Sequence, residues 1–286
     1  MSPGPPRRIV AAIRLIHPFP VTVVVLTTLL LVAVAHGGNP GAGFLARAGG
    51  VVLLSQIAVG ALNDYVDRHH DAVAQPEKPI PSNLVPASLA LGMVVASLAL
   101  LLPLALSFGA GGLILTVVGT AAGLVYDLWL KPTPYSVTMY VVGFLTLVSW
   151  VWLIAGTITL RLLAAYPLGA LLLVAAHLAQ SFPDVETDRR TGQRGLAAVL
   201  GAARTFRLVL LLYLTVAAAG LAAAIVGGSA GGFALIAASL VMPAAAWLAG
   251  HRNLTDRGVR KRLFHILAPG IGLLGLGCLV TLGSFH

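Results

Sequence analysis

The feature that most constrains this chain is the recurrence of apolar runs of about 20 residues, separated by short breaks. Each run is long enough to cross a hydrocarbon core of about 30 Å as an α-helix. Only 9% of the residues are charged, against about 25% in soluble domains, so the chain cannot build a water-solvated surface. The period-two alternation that a transmembrane barrel needs is missing. The sequence therefore predicts an all-α integral membrane protein.

Residues 1–286 are interpreted as a single domain with nine transmembrane helices. The first span is not expected to be a cleaved signal peptide, because many spans follow it and it lacks a convincing cleavage site. Clusters of Gly and Pro mark the breaks between spans. The spans are predicted at about 16–36, 44–63, 86–106, 109–128, 136–156, 165–182, 204–226, 231–250 and 263–284.

The basic residues are distributed unequally between the two sides of the bilayer. Of the 18 Lys and Arg residues, all except Arg47 and Arg161 fall on the side of the N-terminus. The positive-inside rule then places the N-terminus and the three long polar loops in the cytoplasm. The formal net charge of +9 is thereby explained by topology and by contact with anionic headgroups, and nucleic acid is not expected as a partner.

The end of the second span carries an amide and three carboxylates, Asn63, Asp64, Asp67 and Asp71. If the helix continues through them, their spacing places all four on one face. Like charges this close repel one another unless a cation compensates them. Carboxylate and amide oxygens suit Mg²⁺, which usually shares its ligand shell with water and substrate phosphates. The alternative is an ordinary polar helix end at the aqueous interface.

A second acidic pair, Asp184 and Asp188, follows the sixth span with a helical spacing of four. All acids except Asp256 lie at or just after the ends of spans two, four and six. The equivalent positions of the two acidic motifs suggest an internal duplication. Two carboxylate clusters that face each other across a cavity can hold metal ions on either side of a polyphosphate. The sequence therefore predicts a metal-dependent site at one membrane face.

A diphosphate bound with two Mg²⁺ ions among five Asp carboxylates leaves a negative balance, so cationic side chains are expected nearby. Lys and Arg bind phosphate oxygens as a point charge and as a planar fork, respectively. The alternative is that these residues only set the membrane topology. The candidates beside the acidic motifs are Arg68, Lys78, Lys131, Arg189, Arg190 and Arg194.

Four motifs follow one another along the chain: Asn63-Asp64-x-x-Asp67-x-x-x-Asp71, Lys78-Pro79-Ile80-Pro81-Ser82, Tyr126 with Lys131, and Asp184-x-x-x-Asp188-x-x-x-Gly192-x-Arg194. Together they resemble the signature of the UbiA superfamily of intramembrane prenyltransferases, and the resemblance covers nearly the whole chain. It implies a bundle of nine transmembrane helices around a central cavity that opens to the cytoplasmic side and laterally to lipid. It also implies two Mg²⁺ ions and a bound isoprenyl diphosphate.

The resemblance also implies a role for each matching residue. The implied metal ligands are Asn63, Asp67, Asp71, Asp184 and Asp188, with Asp64 as a helper or further ligand. The implied diphosphate contacts are Lys78, Lys131 and Arg194, to which we add Arg68 from its position beside the first motif. Tyr126 is expected near the reacting carbon, and the catalytic set comprises Asp67, Asp71, Asp184, Asp188, Lys131 and Tyr126.

The chain departs from the family pattern at several positions. Lys78 stands where Arg is more frequent, and Asn83 where Gly often follows the Pro-Ser pair. Four residues separate Tyr126 from Lys131 instead of the commoner three, and Asp127 is one of them. These departures concern the diphosphate contacts and the acceptor pocket more than the metal ligands.

The predicted function is Mg²⁺-dependent transfer of a prenyl group from an isoprenyl diphosphate to an aromatic or other lipophilic acceptor, as in quinone or lipid biosynthesis. Ionisation of the allylic diphosphate in an apolar, water-excluding site would carry the reaction. One alternative is a membrane terpene cyclase of the same superfamily, which acts on the prenyl diphosphate alone. A secondary transporter is the other alternative, although carriers usually place charges near the midplane. His177, inside the sixth span, is either an acceptor contact or a satisfied buried histidine.

Overall fold

The computed structural model describes residues 5–250 and 253–283, which form helices and connecting turns without strands. Within these residues, nine helical spans are long and apolar enough to cross a membrane. The all-α class and the number of spans are therefore confirmed. The spans are Pro18–Ala35, Ala42–Val73, Ala87–Leu106, Gly109–Leu130, Ser136–Ile154, Tyr166–Arg190, Ala202–Val226, Ala230–Gly250 and Arg257–Gly283.

Backbone contacts divide the chain into two compact units. Unit 1 comprises Met1–Trp129 and Thr146–Ile158, and unit 2 comprises Leu130–Leu145 and Thr159–His286. Each unit carries one of the two acidic motifs. The internal duplication and the single functional domain over residues 1–286 stay predictions.

Unit 1 is organised around its longest helix, α3 (Ala42–Ala74), which packs against α2 (Pro18–Ala35), α4 (Ala87–Leu106) and α5 (Gly109–Val125). Small residues allow the helices to approach closely. A Cβ on Gly123 of α5 would lie 2.6 Å from Val59 Cγ2 of α3, so only glycine fits that crossing. The helices of this unit are α1 (Pro5–Arg14), α2 (Pro18–Ala35), α3 (Ala42–Ala74), α4 (Ala87–Leu106), α5 (Gly109–Val125) with a π-helical turn (Tyr126–Leu130), and the second half of α6 (Ser136–Ile154).

Helix α3 does not end with its apolar segment. It continues through the acidic motif to Ala74, which confirms the helical continuation on which the one-face interpretation depends. The loop that follows contains Pro76, Pro79 and Pro81, which cannot extend a helix because proline lacks the backbone N–H. The predicted span ends at residue 63 because the apolar run stops there. The helical hydrogen bonding continues for eleven further residues, to Ala74.

Unit 2 is built around α8, α11 and α14, which pack against one another. Its core contains the buried aromatic side chains Phe182, Phe206 and Tyr213 and the buried Leu263 and Leu274. The helices of this unit are the first half of α6, α7 (Leu160–Ala164), α8 (Tyr166–Ser181), a 3₁₀ turn (Phe182–Asp184), α9 (Val185–Arg190), α10 (Leu196–Leu200), α11 (Ala202–Val226), α12 (Ala230–Ser239), α13 (Val241–Gly250) and α14 (Arg257–Gly283).

The predicted eighth span consists of two helices that meet at Leu240. Pro243 has no N–H to donate to the carbonyl of Ser239, four residues earlier. The buried Tyr213 hydroxyl donates to that carbonyl instead, at 2.8 Å. The break is therefore stabilised by a side chain from α11. The short helices α1, α7, α9 and α10 were not predicted, because none is an apolar run of spanning length.

Candidate functional site

The acidic motif of unit 1 occupies the last turns of α3. Asp64 and Asp71 are almost fully buried, at 3% and 2% exposure. Lys78, from the loop after the helix, places its Nζ 3.1 Å from Asp64 Oδ1 and 2.7 Å from Asp71 Oδ2. Asp64 and Asp71 are seven residues apart, which is two helical turns, so both carboxylates face the same side of α3. Asp67 lies between them and is half-buried.

The charge of Lys78 compensates this pair of carboxylates. Burial alone would lower the pKa of Lys78, but its hydrogen bond to Asp71 and the charges of Asp64 and Asp71 outweigh it and raise the pKa above 10.5. Because the folded-state pKa is raised, the stabilisation from this bridge is fully present below the ordinary lysine pKa. It is lost as the pH rises through the raised value. At neutral pH Lys78 therefore acts as the compensating cation.

His17 lies beside the same cluster, at the residue before α2. Its Nε2 is 3.3 Å from Asp64 Oδ1 but is not aligned for a hydrogen bond. The backbone of His17 adopts a left-handed conformation with φ of 52°. The contact was not predicted, because a histidine before a proline carries no signal for a partner 47 positions further along the chain.

Asn63 and Arg68 make contacts that sequence analysis did not identify. The Asn63 side chain donates from Nδ2 to Oδ1 of Asp127 at 2.8 Å, and Asp127 is 3% exposed. The Arg68 guanidinium lies over the Tyr65 ring, 4.4 Å from its centroid, and donates to the Tyr65 carbonyl at 2.6 Å. The predicted diphosphate contact by Arg68 thus requires this side chain to leave its stacked position.

The acidic motif of unit 2 lies where the 3₁₀ turn Phe182–Asp184 leads into α9. Asp184 is the last residue of the turn, and Asp188 lies in α9. Arg257, at the start of α14, donates from Nη2 to Asp184 Oδ1 at 2.6 Å. Both side chains of this ion pair are well exposed. Water screens the pair, so it contributes little stability and a metal ion could replace the arginine readily.

Arg260 fixes the backbone before Asp184. It is 1% exposed and donates to the carbonyls of Leu254 and Thr255 at 2.9 and 2.8 Å and to that of Pro183 at 3.3 Å. It therefore ties the loop before α14 to the 3₁₀ turn that bears Asp184. Sequence analysis assigned Arg257 and Arg260 to membrane topology alone, because neither lies near the acidic motifs in the sequence.

We expect Arg260→Ala to lower the unfolding free energy by about 2–4 kcal/mol, because a buried side chain is lost and three carbonyls, of which that of Pro183 lies in a buried hydrogen bond, lose their donor. The apparent melting temperature in detergent should then fall by about 5–10 °C. Arg262→Ala is the matched control on the same helix, since Arg262 is exposed, and it should melt like the unaltered protein. Equal melting of the two variants would contradict this assignment.

Lys131 and Arg194 lie on adjoining segments of unit 2. The backbone N–H of Arg194 donates to the carbonyl of Pro132, the residue after Lys131, at 2.9 Å. The backbone at Arg194 is therefore adjacent to the segment that carries Lys131, and the diphosphate contacts of both side chains stay predictions. Tyr126 begins the π-helical turn that follows α5.

His177 is buried within unit 2. Its Nε2 lies 3.2 Å from the Ser136 hydroxyl oxygen, and its ring centroid is 5.1 Å from that of Tyr140. His177 is 4% exposed, so of its two predicted roles the structure fits that of a buried histidine with a hydrogen-bond partner inside the protein.

The donor atoms at the two motifs suit Mg²⁺, although they do not form a complete cage. In the described part of the chain, no three His, Cys, Asp or Glu side chains are grouped so as to hold a metal ion. Mg²⁺ usually binds through one or two carboxylates together with waters and substrate phosphates. The carboxylate and amide oxygens of these motifs therefore fit an ion that arrives with a diphosphate.

The sequence and the fold are similar to those of known proteins. The model of the UbiA prenyltransferase family matches residues 24–268. The bacteriochlorophyll synthase 33 kDa chain of Rhodobacter capsulatus is 29% identical over 168 residues, which cover 53% of this chain and 54% of that protein. Digeranylgeranylglyceryl phosphate synthase of Pyrococcus abyssi is 28% identical over 172 residues, which cover 60% of this chain and 62% of that protein. The chain thus spans between half and two thirds of the length of these relatives.

The fold resembles a UbiA homolog from Archaeoglobus fulgidus whose structure contains GPP and Mg²⁺. The TM-score is 0.70 at 20% identity, over 93% of this chain and 99% of the other. At this identity the likeness concerns the fold alone.

Proposed function

Because the chain belongs to the UbiA prenyltransferase family, which its residues 24–268 match, we propose that it transfers a prenyl group from an isoprenyl diphosphate to an aromatic or other lipophilic acceptor. The observation that carries this proposal is the end of α3, a helix of a multi-pass integral membrane protein. There, the buried carboxylates of Asp64 and Asp71 share one lysine next to the half-buried Asp67. In such a cluster a metal ion that arrives with a diphosphate can replace Lys78 as the cation that compensates the carboxylates.

Metal binding is assigned to the residues whose oxygens suit it. Bound Mg²⁺ would supply the positive charge that stabilises the departing diphosphate. In unit 1 the proposed ligands are Asn63, Asp67 and Asp71, with Asp64 as a helper. In unit 2 they are Asp184 and Asp188, and Arg257 would yield its place at Asp184.

Cationic side chains hold the diphosphate in this proposal. Lys78 would be free to contact the phosphate oxygens if a bound metal ion compensated the carboxylates of α3 in its place. The other proposed contacts, Lys131, Arg194 and Arg68, add charge that two Mg²⁺ ions alone do not supply. The assignment of Arg194 as a diphosphate contact is supported by the hydrogen bond from its backbone N–H to Pro132, the residue after Lys131.

The reaction proceeds by cleavage of the allylic C–O bond, whose electron pair leaves with the diphosphate. The electron-rich ring of Tyr126 is proposed to stabilise the cation at the reacting carbon. Apolar helix surfaces exclude water, so the acceptor nucleophile forms the new bond and releases a proton. The positive-inside distribution supports a cytoplasmic location for the N-terminus and for the loops that carry the acids.

Product analysis tests the proposal. Purified protein in lipid nanodiscs is incubated with Mg²⁺, prenyl diphosphates of increasing chain length and a panel of aromatic and lipid acceptors. Mass spectrometry should detect the acceptor enlarged by one prenyl group and reduced by one hydrogen, with one diphosphate released per product. A hydrocarbon or alcohol from the prenyl diphosphate alone would instead indicate a cyclase. Transport of unaltered substrate across proteoliposomes would indicate a carrier.

A further inference from the structure

Helices α3 and α5 of unit 1 share a seam of three successive contacts. The hydroxyl oxygens of Ser55 and Thr120 lie 2.8 Å apart. One turn further along α3, Val59 packs on Gly123, where a Cβ would lie 2.6 Å from Val59 Cγ2. One more turn along, Asn63 donates to Asp127 at 2.8 Å. The two helices therefore run in the same direction and in register up to the acidic motif.

The last contact of the seam includes a buried carboxylate at a helix irregularity. Asp127 is 3% exposed and lies on the π-helical turn Tyr126–Leu130. A π-turn accommodates one additional residue within a helix. The unusual spacing between Tyr126 and Lys131 is located at this turn. Burial of a carboxylate costs free energy unless a donor compensates it, and Asn63 supplies one.

The hydrogen bond determines which way the Asn63 amide points. A side-chain amide has a donor end and an acceptor end. Since the Asp127 carboxylate accepts from Nδ2, the carbonyl oxygen Oδ1 points away from α5 and keeps its lone pairs. Without Asp127 the amide could rotate by half a turn and present N–H groups, which no metal ion accepts.

We propose that Asp127 is a positioning residue: its hydrogen bond holds the Asn63 side chain so that Oδ1 of Asn63 is available to the metal ion bound by α3. This inference rests on the proposed metal site, and it adds a residue that never touches the ion. The contact of Val59 with Gly123 sets the separation of α3 and α5, and this separation allows Asn63 and Asp127 to form their hydrogen bond. Loss of such a supporting partner typically costs about 10- to 100-fold in metal affinity.

The test measures Mn²⁺ binding by electron paramagnetic resonance, with inorganic pyrophosphate present and the protein in detergent. Mn²⁺ prefers the same oxygen ligands as Mg²⁺. Asp127→Leu should weaken Mn²⁺ binding by about 10-fold or more, whereas Asp127→Asn keeps a side-chain oxygen that can accept from Asn63 Nδ2 and should retain most of the affinity. The exchange variant Asn63→Asp/Asp127→Asn reverses the hydrogen bond, because the amide introduced on the π-turn then donates to the carboxylate introduced on α3, and it should bind Mn²⁺ at least as tightly as the unaltered protein. The melting temperature of each variant is measured alongside, and the positioning role requires Asp127→Leu to lose Mn²⁺ affinity while it melts like the unaltered protein.

The seam gives a second, independent comparison. Gly123→Ala should weaken Mn²⁺ binding, because its new methyl group collides with Val59. Val59→Ala/Gly123→Ala makes room for that methyl group and should recover the lost affinity. Thr120→Val is the matched control: it removes the first contact of the seam but leaves Asn63 in place, so affinity should be unchanged.

Each outcome decides a specific point. Unaltered Mn²⁺ binding by Asp127→Leu, or loss of binding by the exchange variant, would overturn the positioning role. Absence of Mn²⁺ binding by the unaltered protein would overturn the metal site and this inference together. Mn²⁺ binding without any prenyl product would refute the proposed function and leave the role of Asp127 standing.

Discussion

Removing one proposed metal ligand from either unit, by Asp67→Ala or Asp188→Ala, should lower kcat for prenyl transfer by about 10³-fold or more. Ionisation of the diphosphate needs positive charge where negative charge develops, and loss of a ligand removes or displaces that charge. A 10³-fold loss corresponds to about 4 kcal/mol of transition-state stabilisation. Diphosphate release and product formation would be measured for each variant with saturating prenyl diphosphate.

Matched controls exist in both units. Glu77 is exposed in the loop beside Lys78, and Glu186 lies between Asp184 and Asp188 on α9. Neither belongs to the proposed ligand set, and Glu77 is exposed while Glu186 is only half-buried, so Glu77→Ala and Glu186→Ala should retain activity within about 2-fold. All four variants should insert into the membrane and elute as the unaltered protein does. Substantial turnover by either Asp variant would remove that carboxylate from the mechanism.

Chelation of divalent cations should reduce prenyl transfer to background, and excess Mg²⁺ should restore it. Without the ion, the Asp carboxylates would repel the diphosphate as it binds and would oppose the negative charge that develops on it as the C–O bond breaks. Ca²⁺ should support turnover poorly, because it prefers more ligands at longer distances than Mg²⁺ does. Initial rates in EDTA, followed by titration with MgCl₂ or CaCl₂, give the measurement.

The control for chelation is the melting temperature. Lys78 already compensates Asp64 and Asp71, so EDTA should leave the folded state as stable as before. A fall in melting temperature would mean that the metal ion maintains the fold, and loss of activity would then have a structural cause. Equal rates with and without EDTA would refute metal-dependent chemistry.

The sequence predicted the nine spans because long apolar runs can satisfy their backbone only as helices in lipid. It also predicted that Asn63, Asp64, Asp67 and Asp71 share one face, which depends on the helical continuation to Ala74 that the structure shows. The break in the eighth span was foreseeable from Pro243, since proline leaves the carbonyl four residues earlier without its helical donor.

The remaining contacts join residues that are far apart in the sequence. Asn63 and Asp127 are 64 positions apart, and Arg260 lies 77 positions from Pro183. No local periodicity encodes such pairs, because helix packing brings them together. The additional residue between Tyr126 and Lys131 was visible in the sequence. How the chain absorbs that residue, by a π-turn, was not.

The length of α3 has a consequence for how substrate is supplied. Its 33 residues extend about 50 Å, and Asp64 lies about 33 Å along the axis from Ala42. If a hydrocarbon core of about 30 Å begins near Ala42, the carboxylates at the end of α3 lie at the depth of the lipid headgroups. A long isoprenoid anchored by its own tail presents its diphosphate at the same depth and need not be extracted from the bilayer. Its mole fraction among the surrounding lipids, rather than its concentration per volume, would then set the encounter rate, and added inert lipid would act as a diluent in two dimensions.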